Sequence, residues 1–293
     1  MNKKTHKAFS LIEISIVVIV IGVLIAGATG ASVVVDKSRI RVARALTESS
    51  PVYGISDLEL WLETTSIASF RADGIESGTQ IQNWYEIGPS IIKSTASAGS
   101  KAQYQKRGIN NLPSLRFAAS YYVISAPFFK SPAPTLSNNY SIFVVLKTNT
   151  STNNQWLFYA RQGTAAYPTY PSVASTGIRV GINRIAFTSH TNGGMGDFLS
   201  YTTPMISSDR TNMIEMQIRN KAGILYLNEK LVAASGAQNF SYMFPSNYIG
   251  GNYTGGDLTF SGDIGEIIIF GRVLSNEERA DLGKYLKKKW GIS

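Results

Sequence analysis

The 293 residues are 44% hydrophobic and 16% charged, with 15 Tyr and 13 Phe, a composition that excludes a disordered chain. No Cys is present, which excludes disulfides, thiolate metal sites and a cysteine nucleophile. The formal net charge of +9 splits into +3 for residues 1–8, +1 for 9–50 and +5 for 51–293, too dilute to form a nucleic-acid footprint.

The chain opens on a basic head of Lys3, Lys4 and Lys7, and from Ile14 to Val35 it carries no charged residue. Twenty-two uncharged residues can cross a hydrocarbon core of roughly 30 Å as a helix, so the sequence predicts a single-pass transmembrane helix. Glu13 sits just inside the apolar boundary, where a carboxylate needs a neutralising partner. The helical pattern runs on through Ile40, Ala43 and Leu46, and Pro51 ends it, because the residue before a proline is pushed out of the α region. Lys37, Arg41 and Arg44 form a solvated or headgroup-facing stripe. Two blander readings of this segment stay open. One is a secretory signal cut near Ala26-Gly27-Ala28, the other an uncleaved anchor.

Beyond Pro51 the period changes. Asp57–Leu62, Tyr140–Leu146, Ile214–Ile218, Ile224–Leu227, Lys230–Val232 and Glu266–Phe270 read as strands bounded by Asn, Gly and Ser clusters. Short strands at such spacing predict a β-sandwich or barrel. One helix closes the chain. Ser275 and Glu278 make a capping box, and Leu282, Tyr285, Leu286 and Trp290 line one face. Lys284, Lys287, Lys288 and Lys289 are expected on its charged outer side.

Two resemblances bear on function. The segment Ala8-Phe9-Ser10-Leu11-Ile12-Glu13 resembles the processing site of type IV prepilins and pseudopilins, with Ala8 where the family usually has Gly. The resemblance implies a leader peptide (1–8) removed by a prepilin peptidase that also methylates Phe9. It further implies an assembly helix (9–50) in which the Phe9 amine and Glu13 pair between subunits. Residues 51–293 resemble a concanavalin A-like, laminin-G-like jelly roll. The matching stretches run from Leu58-Glu59-Leu60-Trp61 through Asn111-Leu112-Pro113-Ser114 to Gly262-Asp263-Ile264-Gly265-Glu266 and Arg272-Val273-Leu274-Ser275. Asn228-Glu229 departs from the usual Asn-Gly or Asp-Gly turn, and a different turn type is expected there. The expected fold class is thus mainly β: a long N-terminal transmembrane helix, a concanavalin A-like jelly-roll β-sandwich and a short C-terminal helix.

Catalytic residues are not evident. The Glu-x-Asp-x-x-Glu strand of the hydrolase relatives is missing, Asp263 and Glu266 fall on opposite strand faces, and Asp57, Glu59 and Glu63 read as solvated. His6 and His190 are the only histidines. The chain is expected not to be an enzyme. The Gly-rich loops offer Asn192, Asp197, Asn252, Tyr253 and Asp257 as ligand-binding candidates, for a sugar or for Ca²⁺, against a reading as plain turns. Trp156, Tyr159, Tyr167 and Tyr170 are candidates for an aromatic platform or for core. No cofactor besides Ca²⁺ is suggested, and the metal site is undefined.

The expected function is that of a minor pilin or pseudopilin. It would sit in the bacterial inner membrane before assembly and then at the pilus or cell surface. Its partners would be the prepilin peptidase, other pilin-like subunits, the membrane and a glycan or surface protein held by the lectin-like head; no nucleic acid is expected. The alternatives are a membrane-tethered or secreted carbohydrate-binding protein and a glycoside hydrolase.

Overall fold

The computed structural model describes residues 11–88, 93–96, 100–124, 139–149, 155–160, 176–181, 183–191, 194–202, 210–237, 248–251 and 259–293. The chain divides into Met1–Val42 and Ala43–Ser293. Helix α1 (Leu11–Glu48) supplies all that is described of the first unit and ends in the second. Its β-branched and leucine side chains from Ile14 to Ile25 are exposed. Among the described residues no helix is long and apolar enough to cross a membrane. The expected transmembrane helix, and with it the inner-membrane and pilus-surface localisation, is therefore corrected.

The second unit is a two-sheet sandwich with a helical layer on one side. The first sheet runs β14 (Lys230–Ala234), β13 (Ala222–Leu227), β12 (Asn212–Arg219), β7 (Asn139–Thr148), β16 (Gly262–Phe270), β5 (Leu112–Phe117) and β4 (Gln103–Ile109). Strand β1 (Leu58–Glu63) also joins β16, so β5 pairs with Gly262–Ile264 and β1 with Glu266–Phe270 along one edge. The second sheet runs β11 (Gly194–Thr202), β10 (Arg184–Thr191), β9 (Thr176–Gly181), β8 (Gln155–Ala160), β15 (Tyr248–Ile249), β6 (Tyr122–Ile124), β3 (Lys93–Ala96) and β2 (Asn83–Tyr85). All of these pairings are antiparallel, as the β-sandwich expectation requires.

Two apolar layers follow from this stacking. Between the sheets lie Leu60, Trp84, Phe117, Tyr122, Phe158, Ile178, Phe187 and Ile267. On the far side of the first sheet, Trp61, Phe143, Ile268 and Phe270 pack under helix α2 (Asn276–Trp290) and Ala43, near the end of α1. Strand β16 is buried on both faces, which is why Ile267-Ile268-Ile269-Phe270 is an unbroken apolar run. Helix α2 starts on the expected capping box of Ser275 and Glu278. It stops at Gly291, whose φ of 64° suits a residue without a Cβ. The β13–β14 turn corrects the expectation of a different type: Asn228 and Glu229 both have positive φ (51° and 70°), as an Asn-Gly turn would. Glu229 is held there by Lys287 at 2.8 Å.

Candidate functional site

Strands β8 to β11 alternate, and the alternation sorts their side chains. Phe158, Ile178, Val180, Ile185, Phe187 and Leu199 point into the sandwich. The register places Trp156 opposite Arg179, Arg179 opposite Ala186, Tyr159 opposite Gly177 and Tyr248, and Thr188 opposite Asp197. These residues share the outer face. A Cβ on Gly177 would come within 2.6 Å of the Trp156 ring, so glycine leaves the space that this ring occupies.

A strip of rings and charges crosses this face. Tyr121 lies 6.0 Å from Tyr248, Tyr248 6.3 Å from Tyr159, and Tyr159 4.9 Å from Trp156, centroid to centroid. The Arg179 guanidinium sits over the Trp156 ring at 5.3 Å. Beyond it, Arg179 and Arg184 both donate to the Asp197 carboxylate. Thr188 Oγ1 accepts from Arg179 Nε at 2.9 Å and donates to Asp197 at 2.7 Å. Partial burial pushes the Asp197 carboxyl up. The Thr188 hydroxyl and the two guanidiniums outweigh it, and the net shift is downward. Trp156 is only 2% exposed, so it backs Arg179 from beneath, whereas Tyr159 and Tyr121 are partly open.

Of the expected site residues, Asp197 lies at the centre of this constellation, with Trp156 and Tyr159 beside it. Asn192, Asn252, Tyr253, Asp257, Tyr167 and Tyr170 lie outside the described residues, as do Ala8 and Phe9; Glu13 lies in α1, but its side chain is also outside them. Among the described residues no group of three His, Cys, Asp or Glu side chains converges to hold a metal ion. Sequence reasoning missed Arg179, Arg184, Thr188, Tyr121 and Tyr248. The signal was the alternation in Gly177-Ile178-Arg179-Val180 and Arg184-Ile185-Ala186-Phe187-Thr188, which puts both arginines on one face once the two strands pair.

A second constellation lies under α2. Glu63 on β1 and Glu266 on β16 are cross-strand partners, and Lys289 Nζ bridges them at 3.0 Å and 2.9 Å. Opposed like charges destabilise a sheet unless a cation sits between them. Lys289 also contacts Thr47 Oγ1 at 2.7 Å and the Tyr285 hydroxyl at 3.1 Å. Glu266 accepts from the Trp61 and Trp290 indoles at 2.8 Å and 2.7 Å and from Tyr285 at 2.8 Å. Glu63 accepts from the Thr65 backbone N–H and hydroxyl, both at 2.7 Å. Burial pushes the Glu63 carboxyl up, but Lys289 and Thr65 bring it below its ordinary value. Burial likewise lowers Lys289, and the two carboxylates more than reverse this. The Lys289 and Glu63 side chains are 0% exposed. This corrects two expectations: Lys289 is not on the charged outer side of α2, and Glu63 is not solvated. Carboxylates sealed in this way reach no substrate, so their bond is structural.

No family model matches the chain, and no curated protein does. Solved structures do share the fold. A Trypanosoma rangeli sialidase in complex with sialic acid aligns at TM-score 0.53 and 14% identity, covering 82% of this chain and 34% of that one. A mutant of that sialidase displaying trans-sialidase activity aligns at TM-score 0.51 and 11% identity, covering 88% and 39%. The binding domain of botulinum neurotoxin DC in complex with SialylT aligns at TM-score 0.52 and 11% identity, covering 79% and 52%. The chain thus spans from about a third to about half of these longer chains. Because sialidases carry this sandwich, the expectation that the chain is not an enzyme does not stand. At such identities the likeness shows the fold alone, the lectin-like β-sandwich expected from the sequence.

Proposed function

We propose that the β-sandwich is a saccharide-binding head and that the N-terminal helix is an assembly element of the type IV pilin kind. The observation that carries the first half is the partly open strip of Tyr121, Tyr159, Arg179 and Asp197 across the outer face of the second sheet, backed by the buried Tyr248 and Trp156. Sugars are bound by flat rings that take a C–H face and by fixed polar groups that take hydroxyls. Arg179, Thr188 and Asp197 are fixed by one another, so little ordering remains for a ligand to impose. Two structures of this fold hold sialic acid or SialylT, which supports a saccharide as one use of it. A glycan array with the full chain tests the reading. Binding that Tyr159→Ala weakens supports it, and silence across the array refutes it.

The assembly half rests on the run of exposed apolar side chains along α1, including Ile14, Val18, Ile21 and Ile25. A bare apolar helix needs a cover, and neighbouring copies or other pilin-like subunits supply one. In this reading a prepilin peptidase cuts between Ala8 and Phe9, and the new Phe9 amine pairs with Glu13 of a neighbouring subunit. Intact mass of the protein from its native strain tests this. A chain that begins at Phe9 and is heavier by one methyl supports the reading, and one that begins at Met1 contradicts it.

A further inference from the structure

We infer that a cavity at one end of the first sheet, where β12 begins and β13 turns into β14, binds a small phosphate monoester. The cavity measures about 500 Å³, within the range of small-molecule sites. Leu227 and Val232 line it from β13 and β14, and both also pack on the core between the sheets, so its inner side is apolar. Asn212 and Asn228 add a polar wall that is bonded to itself. Asn228 Oδ1 accepts from the Met213 backbone N–H at 2.8 Å, and Asn228 Nδ2 donates to Asn212 Oδ1 at 3.2 Å. Asn212 Nδ2 in turn donates to the Arg210 carbonyl at 3.1 Å. These bonds tie the β13–β14 turn to the start of β12 and hold the backbone that carries Arg210, so a ligand has less to order.

The charged lining is different. Among the described residues the Arg210 guanidinium, the Thr211 hydroxyl and the Lys230 ammonium have no hydrogen bond, and neither cation has an ion pair. No acidic side chain lines the cavity among them either. Arginines elsewhere on the two sheets are paired, Arg116 with Asp263, Arg179 with Asp197, and Glu215 of β12 with Arg279 of α2. A lone surface lysine or arginine needs no partner but water. Two of them beside a hydroxyl, over apolar surface and without an acid, match an anion that carries two charges and an apolar body. A phosphate monoester has a charge of about −1.5 to −2 at pH 7 and three strong acceptor oxygens. Guanidinium, ammonium and hydroxyl can share those oxygens, and the carbon body of the ester would cover Leu227 and Val232.

The test is calorimetric titration of the full chain with phenyl phosphate, phenyl sulfate and inorganic phosphate. We expect phenyl phosphate to bind at least about tenfold tighter than phenyl sulfate, which has the same shape and a single charge. It should also bind at least about threefold tighter than inorganic phosphate, which has no apolar body. Arg210→Gln and Lys230→Gln should each weaken phenyl phosphate at least about tenfold. Arg219→Gln, at the opposite end of β12, should change it less than about twofold. Equal affinity for the two esters, or for phenyl phosphate and inorganic phosphate, overturns the inference. So does a loss in Arg219→Gln as large as in the cavity variants, or no binding at all. Arg210 and Lys230 are exposed, and should one variant fail to fold the other decides. None of the probes is a saccharide, so failure here leaves the reading of the second sheet untouched.

Discussion

Replacing Lys289 with Met removes the cation that sits between two buried carboxylates while keeping most of the side-chain volume. Glu63 and Glu266 would then face each other across β1 and β16 with only neutral donors around them. Removing one partner of a buried pair costs about 3–5 kcal/mol. A second estimate comes from the escape open to the variant, which is to place one proton on the carboxylate pair. At pH 7 that costs about 1.4 kcal/mol for each unit above an ordinary glutamate value of about 4.3, or about 3.7 kcal/mol. The two routes agree on about 4 kcal/mol. They also fix a sign. In the wild type the lowered Glu63 stabilises the fold above the unfolded carboxyl value, and this stability is lost as pH falls through the lower folded value. The raised Lys289 contributes stability that is full below the ordinary lysine value and is lost as pH rises through the higher folded value. Between pH 5 and 7 both groups therefore remain charged and the wild type is nearly flat with respect to them. In Lys289→Met one carboxyl is pushed up instead, so the variant's deficit should shrink from about 4 kcal/mol at pH 7 to about 1 kcal/mol at pH 5. Urea unfolding of both proteins at the two pH values measures this. A deficit below about 1 kcal/mol at pH 7, or one unchanged at pH 5, would refute the cluster as a charge-balanced clamp.

Other expectations concern packing, capping and the strip. Gly265 lies where β16 passes from β5 to β1, and a Cβ there would sit 2.7 Å from the Trp290 ring, so Gly265→Ala should cost about 1–3 kcal/mol in urea unfolding. Ser275→Ala removes the acceptor for the Glu278 backbone N–H and should cost about 1 kcal/mol by the same measurement. Glu278 is held down to about 2 by its hydrogen bonds to Arg272, helped by those to Ser275. Its contribution is therefore present above the ordinary carboxyl range and lost as pH falls toward 2, and an NMR titration of the Glu278 carboxyl should show that midpoint. Tyr159→Ala should weaken saccharide binding at least about tenfold in calorimetry, about 1.4 kcal/mol, with its far-UV circular dichroism unchanged.

The fold was legible where local pattern and tertiary demand agree. The β12 strand carries its own alternation, β7 and β16 show as apolar runs of strand length, and α2 announces its start through the Ser275–Glu278 capping box. Strands β2, β6 and β15 are two or three residues long, β6 and β15 are set by partners far away in the chain, and no local period marks any of the three. Lys289 is the instructive miss. Leu282, Tyr285, Leu286 and Trp290 occupy the first, fourth, fifth and ninth places of one helical stripe, and Lys289 takes the eighth. The spacing therefore placed it inside, and only the habit of reading a terminal lysine as solvated placed it outside. What justifies its burial, a glutamate pair from two strands more than two hundred residues apart, cannot be read from either strand alone. Asp197 was found through its Gly-rich loop, but its arginine partners come from β9 and β10 and appear only once those strands pair. The N-terminal run shows the opposite failure. Its composition met the length for a membrane span, whereas among the described residues no helix is long and apolar enough to cross one.

The central claim, that the outer face of the second sheet is a saccharide-binding surface, is tested most directly by NMR mapping of the full chain titrated with 3′-sialyllactose. The account predicts saturable shifts in the Trp156 indole, the Arg179 and Arg184 side chains, and the Tyr159 and Tyr248 rings, with α2 unmoved. Shifts confined instead to the separate cavity of about 500 Å³ lined by Arg210, Asn228 and Lys230, or no saturable shift at all, would contradict it.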